Sequence, residues 1–255
     1  MKRCCRILIA VCAAWVLSSP ICSIQNAYAE ENKELQAALE EQLPRLNEYI
    51  EDHPEEINGY STRGDIRFFL GDFPRAVEDY SKMVELDESR DASHWRRGIA
   101  YFYAGRYEDA AAQFGRYHSF DNVDRENGIW RYLSMYRAQG PEKARQELLK
   151  YEKDDREPFG DVYRLFAGEI TGSKILERIQ QAEIDDSERE KRLFYAELYI
   201  GLNELVEGRK GSAKTHLEQA VATSWPRKAG YGPNYMWHVA RLQLDSLTSL
   251  KDGQE

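Results

Sequence analysis

Beyond residue 22 the 255-residue chain has no cysteine, because Cys4, Cys5, Cys12 and Cys22 are the only four. A body without thiols has no disulfide framework, no thiol nucleophile and no thiolate metal site. Basic charge is also scarce: 35 Lys and Arg face 44 Asp and Glu, giving a formal charge of −9. That balance lacks the footprint that displaces phosphate counterions, so nucleic acid is not an expected partner. The one apolar run, ILIAVCAAWVL (7–17), falls short of the ~20 residues a membrane helix needs. No Gly-x-Ser-x-Gly occurs, and the five histidines (53, 94, 118, 216, 238) never pair at the i, i+4 spacing of helix-borne zinc.

Two stretches imitate chemical motifs and fail on inspection. GRKGSAKT (208–215) has Ala213, where a phosphate loop needs glycine before its Lys-Thr pair. DNVDRENG (121–128) puts Val123 and Arg125 where a calcium loop needs oxygen ligands. No pair of carboxylates is singled out for general acid–base work, so hydrolysis of cell-wall glycans is only a residual reading. The expectation is a non-enzymatic protein with no cofactor and no metal.

Lys2, Arg3 and Arg6, the apolar run and Ala27-Tyr28-Ala29 follow the order of a secretory signal peptide over residues 1–29. Its removal takes away all four cysteines and moves the charge to −12; the alternative is a retained anchor. Pro20 and Ile21 precede Cys22 where a lipidation signal has small residues, so a lipid anchor is not expected. The chain is read as exported, periplasmic or secreted, with no membrane span after cleavage.

The body repeats. Gly64, Gly71, Ala76 and Tyr80 recur 34 residues later as Gly98, Gly105, Ala110 and Phe114. Such a period is that of tetratricopeptide (TPR) hairpins, and it predicts an all-α solenoid of antiparallel helix pairs. First helices fall over 59–72 and 93–106, second helices over 73–86 and 107–120. Gly64 and Gly98 let the partner helix approach, and Gly71 and Gly105 supply positive φ in the turns. A worn third copy covers 127–140 and 141–154. LQAALEEQLPRLNEYIEDHPEE (35–56) reads as an amphipathic half-repeat within an N-terminal helical segment, 30–56. The repeats occupy 57–158 and an irregular connector 159–190, with helices broken around Thr171-Gly172. A last hairpin and a capping C-terminal helix fill 191–250. Measured from Ala196 to Ala213, that hairpin is read as five residues longer than the interval from Gly98 to Ala110.

GEITGSKILER (168–178) and RLFYAELYIGL (192–202), set after TPR hairpins and before a final helix, resemble the NlpI family of bacterial envelope TPR proteins. The resemblance implies a dimeric adaptor that presents partners to a periplasmic protease or to cell-wall hydrolases. In a TPR stack the first helices line a concave groove, and Trp, Tyr and Arg most often anchor interfaces. The register therefore nominates Asp65, Phe69, Trp95, Arg96, Tyr103, Trp130, Tyr136 and Arg137 as a groove for envelope proteins or peptides. Tyr101 is read as an inward ring. The alternative function is a self-associating structural protein whose aromatic face is buried in a homodimer.

Overall fold

A computed structural model describes residues 20–249. The fold is all-α, with no strand among the described residues. Most of the expected signal peptide and the tail KDGQE lie outside the described residues. The described residues divide into two units, 20–41 and 42–249. In the first, α1 (Pro20–Glu40) is one continuous helix that includes the Ala27-Tyr28-Ala29 stretch. The half-repeat expected over 35–56 is thus divided: a turn at 41–42 separates α1 from α2 (Leu43–Asp52). Pro44 explains the break, since proline lacks an N–H and suits only the first turn of a helix.

In the second unit α3 (Ile57–Phe69) pairs with α4 (Phe73–Leu86), and α5 (Trp95–Tyr103) with α6 (Tyr107–Phe120). The glycines act as the spacing predicts. A Cβ on Gly64 would lie 2.7 Å from Tyr80 Cε1, and one on Gly98 2.6 Å from Phe114 Cζ. Gly71 and Gly105 have φ of +81° and +75°. Each closes its helix with paired bonds: Asp72 N donates to the Arg67 carbonyl at 2.8 Å and Gly71 N to that of Phe68 at 2.9 Å. Arg106 and Gly105 repeat the pattern on Tyr101 and Phe102, which is the 6→1 and 5→2 geometry of a helix stop. Ala76 and Ala110 are fully buried at the contact.

A second 34-residue series becomes visible once side chains are in place. Arg63 donates to Asp79 (2.7 Å), Arg97 to Gln113 (2.6 Å) and Arg131 to Glu147 (3.1 Å), each pair bridging the two segments of one unit. Asp79 is also gripped by Arg67 at 2.8 Å. These bonds keep α7 (Arg125–Gln139) and the segment after it in register although the glycine has moved. The second helix of this unit is far shorter than expected over 141–154, since α8 runs only Pro141–Gln146. Arg131 draws off the Glu147 carbonyl at 2.5 Å, and the Tyr151 ring packs where a Cβ on Gly128 would be. Both hold the chain out of helical geometry.

The connector forms α9 (Phe159–Phe166) and α10 (Gly172–Gln181), and Thr171 caps α10. Next come α11 (Asp186–Val206) and α12 (Lys210–Ala222). Here the expected five-residue lengthening is corrected. Gly201, not Ala196, is the close-approach position: a Cβ there would lie 3.0 Å from Leu217 Cγ, and Gly208 has φ +83°. Gly201, Gly208, Ala213 and Leu217 keep the intervals of Gly98, Gly105, Ala110 and Phe114. The extra length of α11 lies at its N-terminal end.

The last helix, α13 (Tyr231–Ser249), packs on α12 and also against α3. Residues 235 through 241 are all buried. Seven consecutive buried positions go right round a helix, which marks an interior element; a terminal cap with a polar outer face buries one side only.

Candidate functional site

The face assigned to a groove is where α13 lies. Asp65 accepts from Tyr80 (2.6 Å), Arg96 (2.8 Å) and Tyr231 at the start of α13 (2.6 Å). Phe69 stacks on His238, ring centroids 3.8 Å apart, and its carbonyl accepts from Arg241. Tyr235 stacks on Phe68 at 4.9 Å and meets the edge of Trp95 at 4.9 Å. The Arg96 guanidinium lies 5.4 Å from the Tyr231 ring centroid, so four of the eight nominated residues, Asp65, Phe69, Trp95 and Arg96, contact the chain's own C-terminal helix.

The others divide. Trp130 is buried in α7, and its Nε1 donates to the Tyr199 hydroxyl at 3.1 Å. Tyr103 is half-buried, its ring 5.1 Å from Phe73 and 5.7 Å from Phe68, and its hydroxyl is enclosed with no hydrogen-bond partner. Tyr136 is half-buried beside Tyr132, and exposed Arg137 lies over the Tyr107 ring at 5.6 Å. Tyr101, read as an inward ring, is half-buried with Arg106 over its face at 4.4 Å.

What remains open beside α13 is a cavity of about 360 Å³ among α5, α7, α11 and the start of α13. Trp95, Trp130, Tyr195, Trp225 and Met236 line it, and Gly232 opens one side: a Cβ there would meet nothing within 4 Å. Only Trp95 and Trp130 were nominated from sequence. Tyr195 escaped because it belongs to α11, outside the three counted repeats, and Trp225 because it lies in a short turn between helices.

A charged cluster borders the rings. Arg156 donates to Asp124 (3.2 Å), to Asp155 (3.3 Å) and to Glu126, and its guanidinium lies 4.2 Å from the Phe159 centroid. Glu126 accepts in addition from the Tyr199 hydroxyl, which links it to Trp130. Burial raises the Glu126 carboxyl to about 7; Arg156 opposes the shift and the neighbouring Asp124 adds to it. Asp124 is raised as well, chiefly by burial. The hydrogen bonds tie Arg156, Glu126 and Tyr199 together and, through the Trp130 Nε1, hold that ring in place.

No group of His, Cys, Asp or Glu suited to a metal ion occurs among the described residues, and none of their helices is long and apolar enough to cross a membrane. No known protein-family model matches the chain.

Proposed function

We propose that this protein is a non-catalytic TPR-type adaptor of the cell envelope, and that it seats an apolar anchor side chain of a partner peptide in the aromatic cavity. The observation that carries the reading is that cavity, formed by Trp95, Trp130, Tyr195 and Trp225. Trp130, held by its own hydrogen bond to Tyr199, loses little freedom on binding, which favours affinity, and Trp and Tyr dominate interface hot spots. A volume of about 360 Å³ is at the small end of ligand sites and suits one or two side chains better than a whole strand. The repeat geometry at Gly64, Gly98 and Gly201 supports the TPR reading.

Recognition in this account uses less of the concave face than the sequence assigns to it. The α13 helix occupies the Asp65–Phe69 side, and the partner takes the remainder beside Trp95. The reading implies export, in keeping with the expected signal peptide.

The test is capture from envelope extracts by crosslinking and mass spectrometry, comparing wild type with Trp95→Ala. Loss of the captured protein with unchanged helical circular dichroism supports the cavity. Equal capture by the two proteins refutes it.

A further inference from the structure

Two carboxylates stand among the rings of the aromatic cavity. Asp124 and Glu126 both line it, and their side chains keep 20% and 13% exposure, so neither is sealed from solvent. With Asp155 they make three carboxylates around one guanidinium, that of Arg156. Lys191, the other cation on the lining, is bonded to Glu188 at 2.9 Å. The cluster therefore holds more negative charge than Arg156 answers.

The three carboxylates are not equivalent. Asp124 accepts from the backbone N–H of Glu126 at 3.0 Å and from Asn127 Nδ2 at 2.7 Å. Asp155 accepts from the backbone N–H groups of Arg125 at 2.8 Å and of Arg156 at 2.6 Å. Hydrogen bonds of this kind favour the charged form of a carboxylate. Glu126 accepts only from side chains among the described residues, Arg156 and the Tyr199 hydroxyl. It is the member of the cluster that takes a proton most readily. Burial holds its carboxyl at about 7; Arg156 and the Tyr199 hydrogen bond oppose that shift, while Asp124 and Asp155 add to it. The remaining titratable groups near it are tyrosines, Tyr195 and Tyr199 of α11 and Tyr117 of α6. Burial raises all three, Tyr117 to about 12, so they stay neutral around pH 7.

We propose that seating an apolar side chain in this cavity takes up a proton at Glu126, so that partner binding tightens as pH falls through the neutral range. The inference rests on the reading of the cavity as the seat of an apolar anchor. An apolar group filling the space removes the remaining water from the carboxyl, and desolvation disfavours the charged form. Coupling is reciprocal: if occupancy favours the neutral acid, the neutral acid favours occupancy. The protonated state keeps the cavity walls in place. Arg156 retains Asp124 and Asp155, and Tyr199 can donate to the carbonyl oxygen of a neutral carboxyl while it still accepts from Trp130 Nε1.

The experiment titrates the full chain with indole, a neutral probe that does not ionise in this range. Binding is followed by backbone amide shifts at pH 6 and pH 8.5, and by calorimetry at pH 7 in two buffers of different ionisation enthalpy. If occupancy raises the proton affinity of Glu126 about tenfold, indole binds about five- to tenfold more tightly at pH 6 than at pH 8.5, with uptake of about 0.4 proton at pH 7. Glu126→Gln keeps an acceptor for Tyr199 and should bind indole with the pH 6 affinity at both pH values, taking up no proton. The wild-type proton count stands whether or not this variant folds. Equal affinity at the two pH values, or release of a proton, overturns the linkage and leaves the cavity reading intact. Dependence on pH retained in folded Glu126→Gln overturns the assignment to Glu126. No saturable binding, or shifts remote from Trp95 and Trp130, overturns the linkage and the cavity reading together.

Discussion

Two glycines in neighbouring helices test the repeat register by giving effects of opposite sign. Gly98 lies in α5 with the Phe114 ring against it: an added Cβ would lie 2.6, 2.8 and 3.0 Å from three ring carbons. Phe114 is fully buried and cannot swing aside without moving Trp130, whose ring stacks 6.3 Å away. Overpacking of this kind costs about 1–3 kcal/mol, whereas replacing a helical glycine by alanine returns up to about 1 kcal/mol. The first effect wins, and Gly98→Ala should destabilise the protein by about 1–2 kcal/mol. Gly115 is also helical but exposed, and its added Cβ would lie 3.8 Å from Arg131 Nε with nothing closer. Gly115→Ala should therefore stabilise by about 0.5–1 kcal/mol. Urea unfolding followed by circular dichroism measures both. The double variant Gly98→Ala, Phe114→Leu should recover part of the loss, since leucine withdraws the atoms nearest the new methyl. A Gly98→Ala protein as stable as wild type would refute the claim that this glycine exists to admit Phe114.

The pH dependence of stability follows from buried groups with displaced pKa. Glu126 titrates near 7 in the fold and near 4.5 when unfolded. Between those values the native state holds the extra proton, so this group's contribution to stability is full below about 4.5 and declines as pH rises through 7. Glu126→Gln should flatten that fall by about 3 kcal/mol in the difference between variant and wild-type urea curves; a difference independent of pH between 4 and 8 counts against it. The histidines act in the opposite sense. Burial lowers His94 and His238 to about 3 from the usual 6.5, with nearby arginines adding to the shift. Their unfolded forms take up protons first, so stability is lost as pH falls below 6.5. His238→Phe keeps the ring stacked on Phe69 and should make the protein more tolerant of acid, a shift readable in Tm at pH 4–5.

The paired helices were legible because their constraints are local. The glycine and alanine positions of α3 to α6 are dictated by contact between adjacent segments, and the observed bounds of α4 and α6 equal those expected from the spacing. The same intervals at Gly201, Gly208, Ala213 and Leu217 were equally available, but Ala196 also looked like a small contact residue and drew the measurement away. The Arg63, Arg97 and Arg131 series was periodic too, yet its acceptors change from Asp79 to Gln113 to Glu147, which hides the repeat from a search for identical residues. The groove was only partly legible. Trp95 and Trp130 follow from the repeat register, but nothing local reveals that α13 returns to cover Asp65 and Phe69. That placement depends on contacts between residues more than 160 positions apart, such as Tyr231 with Asp65. Tyr136 and Arg137 were assigned to the groove by counting; Tyr136 lies beside Tyr132 on the same helix, Arg137 lies over the Tyr107 ring, and neither lines the cavity beside Trp95.

The central claim, that a partner's apolar side chain enters the aromatic cavity, is tested most directly by filling it. Gly232 lines the cavity and a Cβ on it meets no atom within 4 Å, so Gly232→Phe adds a ring at the cavity wall with no clash at its Cβ. The measurement is enrichment from a displayed library of random linear peptides on wild type and on Gly232→Phe. Wild type should select peptides sharing an apolar or aromatic anchor, and Gly232→Phe, equally folded, should fail to retain them. Retention of the same peptides by the filled protein would contradict the account.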